Sequence, residues 1–128
     1  MQDEPTPIEL VTAVADFLRD DIAPALKGHS AFKLRVAINA LDLVARQLTL
    51  AGPGEDAERA RLSHLLGEEG DLLDLNRKLA EAIGRGTLDL ATPGVAEHLW
   101  RTTMDKLAVD QPNYASYRRE LAREPKPS

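Results

Sequence analysis

The 128-residue chain predicts an all-α fold, a single-domain bundle of about five helices. Three observations lead there. Apolar residues recur at helical spacing over most of the chain. No segment shows the period-two alternation or β-branched enrichment of a strand. Proline, glycine and hydroxyl residues fall where helices would start and stop.

The first helix opens at Thr6-Pro7-Ile8-Glu9, where Thr6 caps, Pro7 fits the first turn and Glu9 completes a capping box. Leu10, Val11, Val14, Phe17, Leu18 and Ile22 form its apolar face, and the helix ends near Pro24. Residues 25–29 turn the chain, with Ser30 as cap of the second helix. That helix, residues 31–50, carries Arg35, Asn39, Asp42, Arg46 and Thr49 on one narrow stripe at about 100° per residue. Phe32, Leu34, Val36, Ile38, Leu41, Leu43, Val44 and Leu48 take up nearly all the rest. A helix apolar over most of its circumference is surrounded by protein, so the second helix is expected at the centre and largely buried.

Ala51-Gly52-Pro53-Gly54 is expected to break it. A shorter helix over 55–66 follows, with Ala57, Leu62, Leu65 and Leu66 as its apolar contacts, and Gly67 to Gly70 form a turn. Asp71 or Gly70 opens a helix over 72–83 that buries Leu72, Leu75, Leu79, Ala82 and Ile83 and stops at Gly84-Arg85-Gly86. Thr92-Pro93 starts the last long helix, which runs to about Gln111 before Pro112. The bundle domain is expected over residues 5–112. Residues 113–128 form a partly disordered C-terminal extension, in which 114–121 have the pattern of one more short helix.

A formal charge of −5 argues against nucleic acid, which needs a basic face. The absence of cysteine excludes disulfides, thiolate metal sites and cysteine nucleophiles. No apolar run approaches the roughly 20 residues of a membrane span, and the acidic MQDEPTPIEL start is unlike a secretory signal. No membrane association and a cytoplasmic location are the expectation.

Familiar catalytic patterns fail on inspection. Gly28-His29-Ser30-Ala31-Phe32 lacks both the strand and the second glycine of a nucleophile elbow. His29, His64 and His98 offer no convergent ligand set and are expected to face solvent or flank helices. Glu68, Glu69, Asp71 and Asp74 surround a helix start, where negative charge is favourable. No catalytic residue, metal site or cofactor is assigned, and the expectation is not an enzyme. In a composite dimer site, Asp42 and His98 would be the first residues to consider.

The stripe remains. Two arginines against one aspartate, close to a core, need partners, because an unpaired buried charge costs several kcal/mol. Arg35 and Arg46 are expected to meet acidic groups of other helices; the sharper alternative is an anion site of Arg35, Asn39, Asp42 and Arg46, with Asn76 within reach, holding a carboxylate, phosphate or acyl-CoA group. Any apolar surplus on the second helix calls for a second copy or another protein. Trp100, Met104, Tyr114 and Tyr117 are candidate interface residues, with core packing the first expectation for Trp100.

PTPIELVTAVADFLRDDIAPAL with FKLRVAINALDLVARQL, then Leu75-Asn76-Arg77 and the run Lys106 to Pro112, resemble a family of small bacterial all-helical proteins of unknown function. The resemblance covers about Pro5 to Tyr114, with Gln111 standing where the family usually has Asn. Members of that family tend to be encoded beside aminoglycoside-phosphotransferase-type kinases and acyl-CoA dehydrogenases. The resemblance therefore implies a helical accessory or interaction protein whose partner is an enzyme of either kind, and it carries over no active-site residue.

Overall fold

The structure, a computed structural model, describes residues 4–123. It is all-α, with five α-helices and no strand among the described residues. Helix α1 spans Pro7–Phe17, continues as a π-helical stretch over Leu18–Ile22, and tightens into a 3₁₀ turn over Ala23–Ala25. Helix α2 spans Gly28–Leu66, α3 Leu72–Gly84, α4 Val95–Asp110 and α5 Ala115–Arg123. Contacts gather the chain into two compact units, one ending at Ala51 and the other beginning at Gly52.

In the first unit, α1 opens as its sequence dictates. Thr6 Oγ1 accepts from the Glu9 backbone N–H at 3.2 Å and lies 3.1 Å from the Glu9 carboxylate. Helix α2 begins at Gly28, with a φ of 69°, so Ser30 lies inside its first turn and is not the cap. The two helical arms are tied by Arg19, whose Nη2 donates to both carboxylate oxygens of Asp42 at 2.9 and 2.7 Å.

The expected burial of residues 31–50 does not hold. Ile38 is buried and Leu34, Leu41 and Ala45 are half-buried, all on one side, while Phe32, Val36, Val44 and Leu48 are exposed. One neighbouring arm covers only one face of a helix. An apolar circumference therefore does not secure burial where the unit offers too few helices to encircle it.

The expected break at Gly52-Pro53-Gly54 is also absent, because α2 runs through it with Pro53 inside. Proline removes the N–H that would bond the carbonyl of Thr49 and costs about 3 kcal/mol in a helix interior. Thr49 and Pro53 are both exposed, so water can satisfy that carbonyl. The following Glu55-Asp-Ala-Glu-Arg-Ala-Arg61 is rich in strong helix formers.

The second unit holds the C-terminal part of α2 together with α3, α4 and α5. Gly67, with a φ of 68°, closes α2. Asp71 then caps α3, its carboxylate accepting the Asp74 N–H at 2.8 Å, and Lys78 reaches back across the turn to Glu68 at 2.7 Å. The core is Leu62, Leu75 and Leu79, with Leu66, Leu72 and Leu88 packed around it. Ile83, expected inward, is exposed. After α3 the chain folds back through Gly86, with a φ of 77°, and Thr87 N–H bonds the Ala82 carbonyl at 2.9 Å.

Thr92 does not cap α4. Its hydroxyl accepts the Asp89 N–H at 3.0 Å, while the Asp89 carboxylate accepts from Ala91 and Thr92. The helix starts two residues later, after Gly94. Helix α4 lies antiparallel to the last turns of α2: Gly94 faces Leu65, His98 and Thr102 face Arg61, and Asp105 faces Gly54. The sequence placed residues 113–128 outside the bundle, with a short helix over 114–121; α5 is that helix, and with Tyr117 buried residues 115–123 belong to this unit. The expected frayed tail beyond Arg123 lies outside the described residues. Among the described residues no helix is long and apolar enough to cross a membrane.

Candidate functional site

The stripe of α2 does not face a core. Arg35 and Asn39 are exposed, and Asp42 and Arg46 are half-buried. The sequence called for acids from other helices to meet its arginines. The pair across the arms runs the other way: the stripe's acid, Asp42, is met by Arg19 from the π-helical stretch. That hydrogen bond and the attraction of Asp42 raise the Arg19 pKa above its ordinary value. Asn76 stands in the second unit, where its amide donates to the Leu72 carbonyl at 3.1 Å and to Glu58 Oε1 at 3.4 Å.

Near that bond stands a second set of polar contacts, and the sequence analysis missed both. Among the described residues, Glu58 and His98 are the two buried polar ones, at 8% and 2% exposure. Arg61 Nε donates to His98 Nδ1 at 3.1 Å, and Arg61 Nη2 donates to Thr102 Oγ1 at 3.2 Å. His98 was expected at the surface. Instead it accepts through Nδ1, which places the proton of the neutral ring on Nε2. Burial, followed by the Arg61 charge, lowers its pKa, while Glu58 acts in the opposite sense. The signal was legible: Glu58 and Arg61 stand one turn apart beside Leu62 and Leu65, on the face the apolar pattern turns inward. As arranged, the Arg61 bonds tie α4 to α2 and the Asn76–Glu58 bond ties α3 to α2.

Beside it, a groove of about 290 Å³ runs between α2, α4 and α5. Ala57, Trp100, Met104, Ala108, Tyr117 and Leu121 supply its apolar lining, and Arg61, Arg101 and Asp105 its charges. Three of the four expected interface residues thus meet at one place. Trp100 is 44% exposed and not a core residue, Met104 is half-buried, and Tyr117 forms the buried floor. Tyr114 is exposed just ahead of α5 and does not line the groove. Trp100 and Met104 point to one side because they are four apart on α4. Tyr117 and Leu121 repeat that spacing on α5. Two further clefts border the same part of α2. One, of about 370 Å³, is lined by Arg61, His64, Leu65, Gly94, Glu97 and His98; the other contains Ser63, whose buried hydroxyl has no hydrogen-bond partner among the described residues. No group of three or more metal-ligating side chains converges among the described residues.

The fold and these sites define an all-helical protein whose polar residues fasten helices together and whose second unit opens an aromatic groove. The chain belongs to the family described as Domain of unknown function (DUF6285), whose model matches residues 24–114. Neither a curated protein nor a solved structure matches the chain.

Proposed function

We propose that this is a non-catalytic helical interaction protein that receives an apolar segment of a partner protein in the groove between α2, α4 and α5. The observation that carries the reading is the half-exposed Trp100 standing beside Met104, Tyr117 and the 45% exposed Leu121. Aromatic residues and methionine are enriched at interface cores, and tryptophan anchors are where binding energy concentrates. Arg101 and Asp105 on the rim select flanking charges of the partner and set its direction in the groove. The partner is taken to be a cytoplasmic phosphotransferase-type or acyl-CoA-handling enzyme, the classes implied by the sequence resemblance.

The test is affinity purification of the tagged chain from its native host, with wild type beside Trp100→Ala, followed by reconstitution with the purified partner. A stoichiometric enzyme held by wild type and lost from an equally stable Trp100→Ala protein is the expected result. Truncating an interface anchor of this kind costs about 2 kcal/mol or more, over tenfold in affinity. Recovery of the chain alone from both preparations, or equal retention by both, overturns the reading.

A further inference from the structure

The first unit leaves apolar side chains uncovered on both of its arms. Leu10, Val14 and Phe17 on α1, and Phe32, Val36, Val44 and Leu48 on α2, are each between 42% and 56% exposed. On α1, residues 10, 14 and 17 lie along one flank, turned aside from the buried Ala15. On α2, Phe32 and Val36 lie on the side away from the buried Ile38. Summed over both arms the seven leave on the order of 700 Å² open, with Phe32 and Val36 on one side of α2 and Val44 and Leu48 on another, a total close to what each partner gives a standard interface.

Charge identifies the occupant. The α1 arm, through the turn that follows it, carries Glu9, Asp16, Asp20 and Asp21 against Arg19 alone. The α2 arm up to Ala51, counted from Lys27 just ahead of the helix, carries Lys27, Lys33, Arg35 and Arg46 against Asp42 alone. One arm is acidic and the other basic to the same degree, so the hairpin is complementary to itself. A two-fold pairing that lays the α1 arm of each copy on the α2 arm of the other joins opposite charges twice over. Pairing like arms would set acid against acid and base against base. We infer that the first unit is the dimerisation surface of this protein, its occupant a second copy of the same chain, and the product a four-helix arrangement built from two hairpins. The surface draws on residues other than those of the Trp100 groove and stands without it.

Sedimentation or light-scattering mass of the full chain tests this. Wild type is expected at twice the single-chain 14.0 kDa, and the Phe32→Glu/Val36→Glu variant at the single-chain mass with its helical circular dichroism unchanged. Both replaced side chains are already exposed, so the fold does not need them; should the acidic pair fail to fold, Phe32→Ala/Val36→Ala keeps good helix formers in place and is expected to weaken association at least tenfold. Trp100→Ala is expected to keep the double mass. A wild-type chain that stays single at every concentration overturns the inference. So does a dimer unmoved by either Phe32/Val36 pair, because its copies would then meet elsewhere.

Discussion

His98 is the residue whose environment differs most from its chemical type. A neutral imidazole with 2% exposure, held by a permanently charged arginine, resists protonation. The unfolded chain takes up a proton near the ordinary histidine value of about 6.5, while the folded chain, its pKa lowered, does not. More protons bound in the unfolded state means that stability rises with pH across this window. The His98 contribution is therefore complete above about pH 6.5 and drains away as the pH falls toward the lowered folded value. Urea midpoints measured between pH 8 and 5 are expected to fall for wild type and to fall less for His98→Gln, which cannot titrate. His98→Leu leaves Arg61 Nε without its acceptor and is expected to cost about 1–3 kcal/mol at neutral pH. Asp42→Asn, by contrast, removes one partner of a solvent-screened pair, and the urea midpoint is expected to move far less than in His98→Leu.

Among the elements, the glycines of α2 and α4 are of different kinds. Gly52 sits inside α2 with open space around it apart from its chain neighbours, but it directly precedes Pro53, whose ring crowds a Cβ on a helical residue, so Gly52→Ala is expected to gain less than the roughly 1 kcal/mol that helix propensity gives elsewhere. Gly94, ahead of α4, has a φ of 91°, and its added Cβ would stand 3.1 Å from Leu65 Cδ2. Gly94→Ala is expected to destabilise by about 1–2 kcal/mol from the left-handed backbone, with further loss if Leu65 cannot move. Thermal melts should place Gly94→Ala well below wild type and Gly52→Ala close to it. Local sequence was a good guide where a single turn decides the outcome: Thr6, Asp71 and Gly86 act as their types suggest. It misled at Pro53, where the helix formers on the C-terminal side outweigh one lost hydrogen bond, and at Thr92, whose hydroxyl serves the Asp89 turn instead of the helix.

At the scale of the molecule, the second unit has a closed core and the first does not. Leu75→Ala removes a fully buried side chain and is expected to cost about 2–5 kcal/mol. Hydrogen exchange should show the loss of protection on α3 and the neighbouring turns of α2. The sequence by itself determined the helical class, most helix termini and the residue types of the aromatic groove, because these follow from spacing and backbone chemistry within a few residues. The burial of α2 and the position of the site were set by tertiary structure. A helical pattern states which faces are apolar but not which of them find a neighbour. In the first unit only one face of α2 does, so the Arg35, Asn39, Asp42 and Arg46 stripe stands at the surface. In the second unit, α3 and α4 close over Glu58 and Arg61 and bring them to Asn76, His98 and Thr102. Those partners are 18 to 41 residues away along the chain, beyond the reach of any local pattern, and packing alone brought them together.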